Sequence, residues 1–331
     1  MIEGHGDDIY RYRDKIRSNF SSNIFSHADL SGLKAHLNKR LDVIGNYPEP
    51  EPYTLEQMLA ERLGLSPRQI MVTNGATEAI YLIAQLFRER TPEVYTPTFS
   101  EYESAIQMFH NSSSEKEGNP HIVWLCNPNN PDGKVIPKAE LERQIKADFS
   151  TIYVIDQSYA NYTLASLPLP HEMLQMPNCL LLHSMTKRYC IPGLRLGYVT
   201  AVESLIEQLR HFRQPWSVNA LAIEAGCYLL EHDIQNFPPL TEYLAETQRL
   251  RSALNEIKGV TVQETQTNFM LARLEKGTAA EMKEFLIQHY GILIRDASNF
   301  TGLTAAHFRV ATQTREENDR LIEAVKAYVY R

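Results

Sequence analysis

The stretch CLLLHSMTKRYCIPGLRLGYVTA, residues 179–201, decides how the rest of the chain is interpreted. Its apolar start, residues 179–182, has the character of a buried strand, yet small hydroxyl residues, Lys187 and then Arg195 follow it. A lysine at the end of a core strand usually marks only the point where the chain reaches solvent. The alternative is that Lys187 is the reactive group of a site and that Arg195 holds an anion beside it.

The overall composition is that of an ordinary globular protein. Of the 331 residues, 43% are hydrophobic and 22% are charged, and the formal net charge is −7, so we expect no nucleic-acid partner. No apolar run approaches the length of a membrane span, and the polar N-terminus MIEGHGDDIYRYRDK does not have the pattern of a signal peptide. These features predict a cytoplasmic protein without a membrane partner.

The cysteines and histidines show no spacing typical of metal ligands. The four cysteines form no C-x-x-C pair and have mostly apolar neighbours, which favours buried free thiols in a reducing compartment. None of the eleven histidines forms an H-E-x-x-H pattern. We therefore predict no metal site.

Short apolar runs alternate with helical patterns through the middle of the chain. Most of these runs are continuously apolar, as in strands covered on both faces, and this order predicts an α/β fold with a mostly parallel, helix-covered sheet. The predicted strands are QIMVT (69–73), EVYT (93–96), HIVWLC (121–126), TIYVID (151–156), CLLLHS (179–184) and RLGYVTA (195–201).

The pattern changes after about residue 213. Two long helical patterns are followed by a strand pattern in VTVQETQTNFMLARL, a helix at 278–289 and the strand-like ILIRDA. We predict a large domain at 46–213 and a smaller α+β domain formed by 1–45 and 214–331.

Chemically distinctive residues follow the predicted strands at one edge of the sheet, where open parallel sheets bind ligands. The first strand ends in TNGAT (73–77), and a glycine turn that leads into a helix offers N–H groups to an anion, although Thr77 can equally serve as a helix N-cap. The third strand ends in NPNNPDG (127–133), the fourth ends in Asp156, and the fifth leads to Lys187. We expect these groups to form one site.

The order and spacing of these residues resemble the pyridoxal-phosphate enzymes of fold type I, and within them the class I and II aminotransferase family. The most specific part is S-x-T-K at 184–187 with Arg195 eight positions after the lysine, preceded by Asp156 and by Tyr159 three positions further on. The resemblance covers nearly the whole chain. It implies a large domain of the fold type I kind, a smaller α+β domain and pyridoxal 5′-phosphate as the cofactor.

The resemblance also implies roles for individual residues. The Lys187 amine bonds to the aldehyde carbon of the cofactor and later transfers protons. Asp156 keeps the pyridine nitrogen of the cofactor protonated so that the ring accepts electrons. With Tyr159, these residues form the implied catalytic set. The implied cofactor-binding set is Ala76, Thr77, Tyr102, Asn130, Asp156, Tyr159, Ser184, Thr186, Lys187, Arg195 and Tyr47.

Three members of the resemblance have more particular roles. Tyr102, in PTFSEY, is implied to stack on the cofactor ring. Tyr47, in NYPEPEPY, matches a tyrosine that reaches the phosphate bound to the other subunit, which implies a homodimer with shared sites. Arg309, in HFRVAT, matches the arginine that binds the substrate α-carboxylate in a bidentate manner.

Further stretches resemble one branch of the family, the threonine-phosphate decarboxylases of cobalamin biosynthesis, which are related to the histidinol-phosphate aminotransferases. They are GHGDDIY (4–10), NFSSNI (19–24), QPWSVNALA (214–222) and IRDASNFTGL (294–303). The resemblance places His5, Asn23 and Arg295 around a phosphorylated amino-acid substrate. A helix cap for Asn23 and a surface ion pair for Arg295 are the structural alternatives.

The chain departs from this branch in three ways. Gln157 replaces a glutamate, Tyr159 stands where the decarboxylases often have phenylalanine, and the region 103–121 is shorter by roughly a helix and a strand. Decarboxylation is the leading hypothesis and transamination of a phosphorylated amine is the second. A ligand-sensing module without catalysis is a remote third, because Lys187 and Asp156 are both present.

Overall fold

A computed structural model describes residues 7–110, 121–232, 234 and 237–331. The strands of these residues are β1 Ser18–Asn19, β2 Ile70–Thr73, β3 Thr91–Val94, β4 His121–Cys126, β5 Ile152–Asp156, β6 Cys179–Ser184, β7 Gly197–Thr200, β8 Val260–Val262, β9 Phe269–Leu274, β10 Ile292–Leu293, β11 Arg295–Asp296 and β12 His307–Ala311. The helices are α1 Ser31–Lys39, α2 Tyr53–Leu63, α3 Gly75–Leu86, α4 Glu101–Phe109, α5 Lys138–Ala147, α6 Pro170–Met173, α7 Met185–Arg188, α8 Glu203–Arg210, α9 Ala220–Glu231, α10 Leu240–Asn255, α11 Ala279–Tyr290 and α12 Arg315–Val329.

The large sheet has six strands in the order β2-β7-β6-β5-β4-β3. Strands β3 to β6 pair in parallel, and β7 runs antiparallel between β2 and β6. The central strands are buried along nearly their whole length, because helices cover both faces of the sheet. The predicted mostly parallel, helix-covered sheet is therefore confirmed, and all six of its predicted strands are present.

Two hydrophobic clusters lie on the two faces of this sheet. On one face, Ile80 and Ile83 of α3 pack with alternate strand residues such as Trp124 and Leu182. On the other face, α5 contributes Leu141 and Ile145 against the intervening strand residues. The alternation along each strand places successive side chains on opposite faces, which fixes the sheet between the two helix layers.

The second sheet is antiparallel, with the order β11-β12-β9-β8. Its core is formed with α10, α11 and α12, and it includes Phe308, Met270, Met282 and Leu321. Strand β1 pairs in parallel with β10, so the N-terminal part of the chain is attached to this unit. These elements form the predicted smaller α+β unit.

The exact domain limits of 46–213 against 1–45 and 214–331 stay a prediction. Helix α9 packs its buried residues, among them Ala222 and Ala225, with Leu55 and Leu59 of α2. Leu33 of α1 belongs to the same cluster. Helices α1 and α9 therefore belong to the large domain if they unfold together with the large sheet, and to the small domain if they do not.

Three further findings concern the described part of the chain. None of its helices has the length and apolar character needed to cross a membrane. The four cysteines are free thiols, three of them buried. Within the described ranges, no group of three or more histidine, cysteine, aspartate or glutamate residues could hold a metal ion.

Candidate active site

A cleft of about 350 Å³ opens at the carboxyl ends of the parallel strands. Cys126, Asp156 and Ser184, which end β4, β5 and β6, all lie in its wall. Eleven of the residues predicted from the sequence line this cleft. They are Ala76, Thr77, Tyr102, Asn130, Asp156, Tyr159, Ser184, Thr186, Lys187, Arg195 and Arg309.

Lys187 is held at the bottom of the cleft by the short helix α7. Ser184 caps this helix and accepts a hydrogen bond from the Lys187 backbone N–H at 3.3 Å. The lysine Nζ donates to the backbone oxygen of Ser22 at 2.7 Å. Burial, together with the nearby Arg309 charge, lowers the pKa of Lys187 to about 8. Far more of the amine is therefore neutral near physiological pH than for an ordinary lysine, which favours a nucleophilic role.

Asp156 is a buried carboxylate that two donors hold in one orientation. Tyr102 Oη donates to Asp156 Oδ2 at 2.7 Å, and the Ser158 backbone N–H donates to Asp156 Oδ1 at 2.8 Å. Burial raises the pKa of Asp156 above its usual value, while these hydrogen bonds and Lys187 counteract the increase. The carboxylate thus has a fixed direction and no directly bonded cation among the described residues, which suits it to a cationic ligand atom.

Two aromatic residues of the PTFSEY motif, Phe99 and Tyr102, line the cleft. The Tyr102 ring is buried and stacks on Trp124, with 5.8 Å between the ring centroids and an interplanar angle of 25°, and its hydroxyl donates to Asp156. The role of Tyr102 as the aromatic that stacks on the cofactor ring stays a prediction. Sequence reasoning did not select Phe99.

The start of α3 forms a cradle suited to an anion. The first N–H groups of a helix have no partner within the helix, and those of Ala76 and Thr77 belong to residues in the cleft wall. Gly75 has φ +74, and a Cβ there would lie 2.6 Å from Arg195 Nη2. A Cβ at Gly197 would lie 2.6 Å from the Ala76 nitrogen. Two glycines therefore allow the arginine and β7 to approach the helix start.

Arg309, from β12, forms the opposite wall. It donates to Asn130 Oδ1 and to the backbone oxygen of Ser21, while its Nε has no hydrogen-bond partner among the described residues. Burial lowers its pKa to about 10, although the nearby Tyr159 acts in the opposite direction. Arg309 has no carboxylate partner among the described residues. Its guanidinium can therefore bind the carboxylate of a ligand.

The N-terminal segment contributes residues that sequence reasoning did not select. Asp7, Ser21 and Ser22 line the cleft, and the backbone oxygens of the two serines hold Arg309 and Lys187. The motif NFSSNI was noted only for Asn23. That residue lies behind the cleft wall, where its Nδ2 donates to Tyr159 Oη at 3.3 Å.

Two further predicted residues, Tyr47 and Arg295, do not line the cleft. Tyr47 is 84% exposed and rests against Trp216, with 5.2 Å between their ring centroids. Arg295 is buried and donates to Asn299 Oδ1 at 2.6 Å. His5 lies outside the described residues. The substrate roles of His5, Asn23 and Arg295 stay predictions.

A buried lysine and a buried carboxylate at the strand ends of a mostly parallel sheet, with an anion cradle beside them, define the fold type I class. The chain belongs to the family described as "Aminotransferase class I and II", whose sequence profile matches residues 110–325.

Comparisons with individual proteins support this placement. The crystal structure of L-threonine-O-3-phosphate decarboxylase from Porphyromonas gingivalis is 38% identical, covers 95% of this chain and 100% of its own, and superposes with a TM-score of 0.90. The threonine-phosphate decarboxylase of Salmonella typhimurium is 30% identical over 93% of this chain and 90% of its own length. A histidinol-phosphate aminotransferase from Brevibacillus brevis is 29% identical over 89% of this chain and 86% of its own length.

Proposed function

We propose that this protein is a pyridoxal-phosphate-dependent decarboxylase that acts on a phosphorylated amino acid, L-threonine O-3-phosphate. The observation that carries the proposal is the cleft lined by the part-buried Lys187 together with the buried Asp156 and Arg309. The likeness to two threonine-phosphate decarboxylases, which extends over nearly the whole chain, supports the choice of reaction.

The residues of the cleft fit pyridoxal phosphate. The cradle at Ala76 and Thr77, with Arg195 beside it, suits a phosphate dianion because it combines free N–H groups with a cation. Asp156 suits the protonated pyridine nitrogen, and the lowered pKa of Lys187 suits the attachment of an aldehyde. Tyr102 and Phe99, which both line the cleft, are the aromatic side chains proposed to pack against the ring.

When bound, pyridoxal phosphate supplies an acceptor for the electron pair that bond cleavage leaves at the substrate Cα. Asp156 stabilises the positive charge that this acceptance requires. Arg309 binds and orients the α-carboxylate. As the bond between Cα and the carboxylate breaks and carbon dioxide leaves, Lys187 in its protonated form delivers a proton to Cα. The net change replaces the carboxylate with hydrogen and consumes one proton.

The phosphate of the substrate needs partners beyond those that hold the cofactor. We propose Arg295, Asn23 and His5 for this role, as the resemblance implies. Arg295 and Asn23 are buried, and the Oδ1 atom of Asn23 has no hydrogen-bond partner among the described residues.

We further propose that the protein works as a homodimer. Tyr47 and Trp216 form an exposed aromatic pair, and Leu41 and Ile44 are exposed nearby in the sequence. A second copy that covers this surface would place Tyr47 at the phosphate cradle of its neighbour. Sedimentation of the purified protein measures its oligomeric state, and a monomer at micromolar concentration would refute the proposed homodimer.

The decisive experiment is analysis of the products formed from O-phosphothreonine. We expect carbon dioxide and the corresponding amine phosphate, with no requirement for a 2-oxo acid. Borohydride reduction of the loaded protein, followed by peptide mapping, should place the cofactor on Lys187. Label on another lysine would refute the site assignment.

Transamination is the alternative, because a histidinol-phosphate aminotransferase is almost equally similar and Tyr159 is the residue usual in aminotransferases. Strict dependence on an added 2-oxo acid, with histidinol phosphate as the preferred substrate, would establish it. The two reactions differ in which bond at Cα is held perpendicular to the ring, so product analysis separates them.

A further inference from the structure

Residues 7–17 form a segment that runs from the cleft along helix α11. Its regular structure consists of two short 3-10 turns, Ile9–Arg11 and Arg13–Lys15. A segment with so few backbone hydrogen bonds of its own depends on side-chain contacts to keep one position.

Consecutive residues of α11 provide such contacts. Lys283 Nζ lies 2.6 Å from Asp8 Oδ2, and both side chains are largely buried, with exposed fractions of 14% and 15%. Tyr12 Oη donates to Glu284 Oε1 at 2.5 Å. Lys283 Nζ also lies 5.7 Å from the centre of the Tyr12 ring. These four side chains form a latch, which we define as Asp8, Tyr12, Lys283 and Glu284.

The end of α11 fixes the other end of the segment. The Arg17 N–H donates to the backbone oxygen of Gly291 at 2.7 Å. Gly291 has φ +66, and a Cβ there would lie 2.8 Å from the backbone oxygen of Lys15. The chain therefore follows α11 from residue 283 to residue 291 while it advances from residue 8 to residue 17.

The latch is connected to the reacting end of the cleft through Asp7. The Asp7 carboxylate accepts from Asn19 Nδ2 at 2.7 Å, and the Asp7 N–H donates to Ser21 Oγ at 3.1 Å. The backbone oxygens of Ser21 and the residue after it hold Arg309 and the reactive lysine. The position of residue 8 thus affects the wall that faces a substrate.

We propose that Lys283 and Glu284 are positioning residues, which hold residues 8–17 against α11, keep Asp7 in the cleft wall and so set how tightly the substrate binds. The inference rests on the proposed function, since the substrate is the one named there. If the segment is in place only a fraction of the time, the apparent affinity falls by that fraction. The chemistry at Lys187 is unchanged in the molecules where the segment is in place.

The test compares Lys283→Met and Tyr12→Phe with a control, Lys326→Met. Lys326 pairs with Glu323 at 3.0 Å on the exposed face of α12. For the latch variants we expect KM for O-phosphothreonine to rise about 10-fold, with kcat changed less than about 2-fold. Hydrogen exchange should accelerate at residues 8–17 of the loaded protein. Lys283→Arg and the control should match the wild type in both measurements.

A charge exchange provides the second arm. Asp8→Lys alone should behave like Lys283→Met, and Asp8→Lys combined with Lys283→Asp should recover most of the lost affinity. Unchanged exchange and KM in the latch variants, or a loss confined to kcat or cofactor content, would overturn the proposal. If the wild type does not turn over O-phosphothreonine, the proposed function fails, and the exchange data alone decide whether the latch holds the segment.

Discussion

Two clusters of charged side chains can be compared, one in the cleft around Lys187 and one beside β2, an edge strand of the large sheet. Beside β2, Glu51, Glu56, Arg210 and Arg213 form an ion quartet in which each arginine contacts both glutamates. In the cleft, the cations instead contact backbone oxygens and amides. Both sites are shielded from water, so the difference between them lies in the groups that contact the charged side chains.

The part-buried Arg210 and the buried Arg309 show the consequence most clearly. Burial alone would lower the pKa of Arg210, but Glu56 and Glu51 outweigh burial and raise it. Burial lowers the pKa of Arg309 to about 10, and no carboxylate of the described residues compensates. A buried charge that contacts an opposite charge is already compensated by the protein itself. A buried charge without one is available to a ligand, so the comparison separates a structural site from a binding site.

The quartet has a structural task at the strand edge. Glu56 Oε1 accepts from the Val72 N–H at 3.0 Å. Arg210 Nη2 donates to the Ile70 oxygen at 2.8 Å, and Arg213 Nη1 donates to the Val72 oxygen at 3.3 Å. These contacts satisfy edge groups that would otherwise need another strand. The charged side chains therefore complete the backbone hydrogen bonding at this edge of the sheet.

The largest expected effect comes from Lys187→Ala. The substitution removes the covalent partner and the proton donor together, so decarboxylation of O-phosphothreonine should fall by at least about 10⁴-fold. Stability of the cofactor-free protein should change little, because the variant loses an amine whose charged form is disfavoured by burial. Thermal unfolding measures this second point. A lower melting temperature with retained activity would show that Lys187 is structural.

Glu56→Gln should have the reverse phenotype. It leaves the buried Arg213 without one of its two anionic partners and should lower the free energy of unfolding by about 3–5 kcal/mol, measured by denaturant titration. Glu140→Gln is the matched control, because the Arg143–Glu140 pair is exposed, and it should leave stability unchanged. A folded, equally stable Glu56→Gln protein would remove the distinction between the two clusters.

Asp156→Asn tests the cleft without changing its shape. The amide keeps the size of the side chain but no longer stabilises a protonated ligand nitrogen. Turnover should fall by about 10²–10³-fold, while the cofactor content, measured by absorbance, should stay near that of the wild type. Near-normal turnover would contradict the role assigned to this carboxylate.

The sequence predicted the fold well because the information lies in local patterns. The six apolar runs of the large sheet mark their own strands, and the motif at 184–187 places Lys187 at a strand end without any long-range information. Boundaries were less certain. The predicted strand 195–201 begins at Gly197 in the structure, since Arg195 has φ +57, which is incompatible with a strand.

The rest depended on contacts between distant parts of the chain. Ser22 reaches Lys187 across 165 positions, and no local pattern encodes that pairing. Phe99 and Tyr102 lie three residues apart, and the path of the chain into α4 brings both to the cleft. Glu56 and Arg213 look like ordinary surface charges in the sequence, because their burial follows from how α2 and β2 pack.

The smallest effect, and the sharpest test of the comparison, is the pH dependence of Lys187 in the cofactor-free protein. Burial favours the neutral amine, so the pKa falls from the ordinary lysine value of 10.5 to about 8. Below about pH 8 the amine is mostly protonated and unreactive, and above it the amine is free. The rate of pyridoxal phosphate attachment, followed by absorbance, should therefore rise with pH and level off above about 8. Arg309→Met removes a neighbouring cation that also lowers this pKa, so its midpoint should move to higher pH. A wild-type midpoint near 10.5 would mean that water or an anion stabilises the protonated amine of Lys187. The cleft would then be like the quartet, in which each buried charge has a compensating partner.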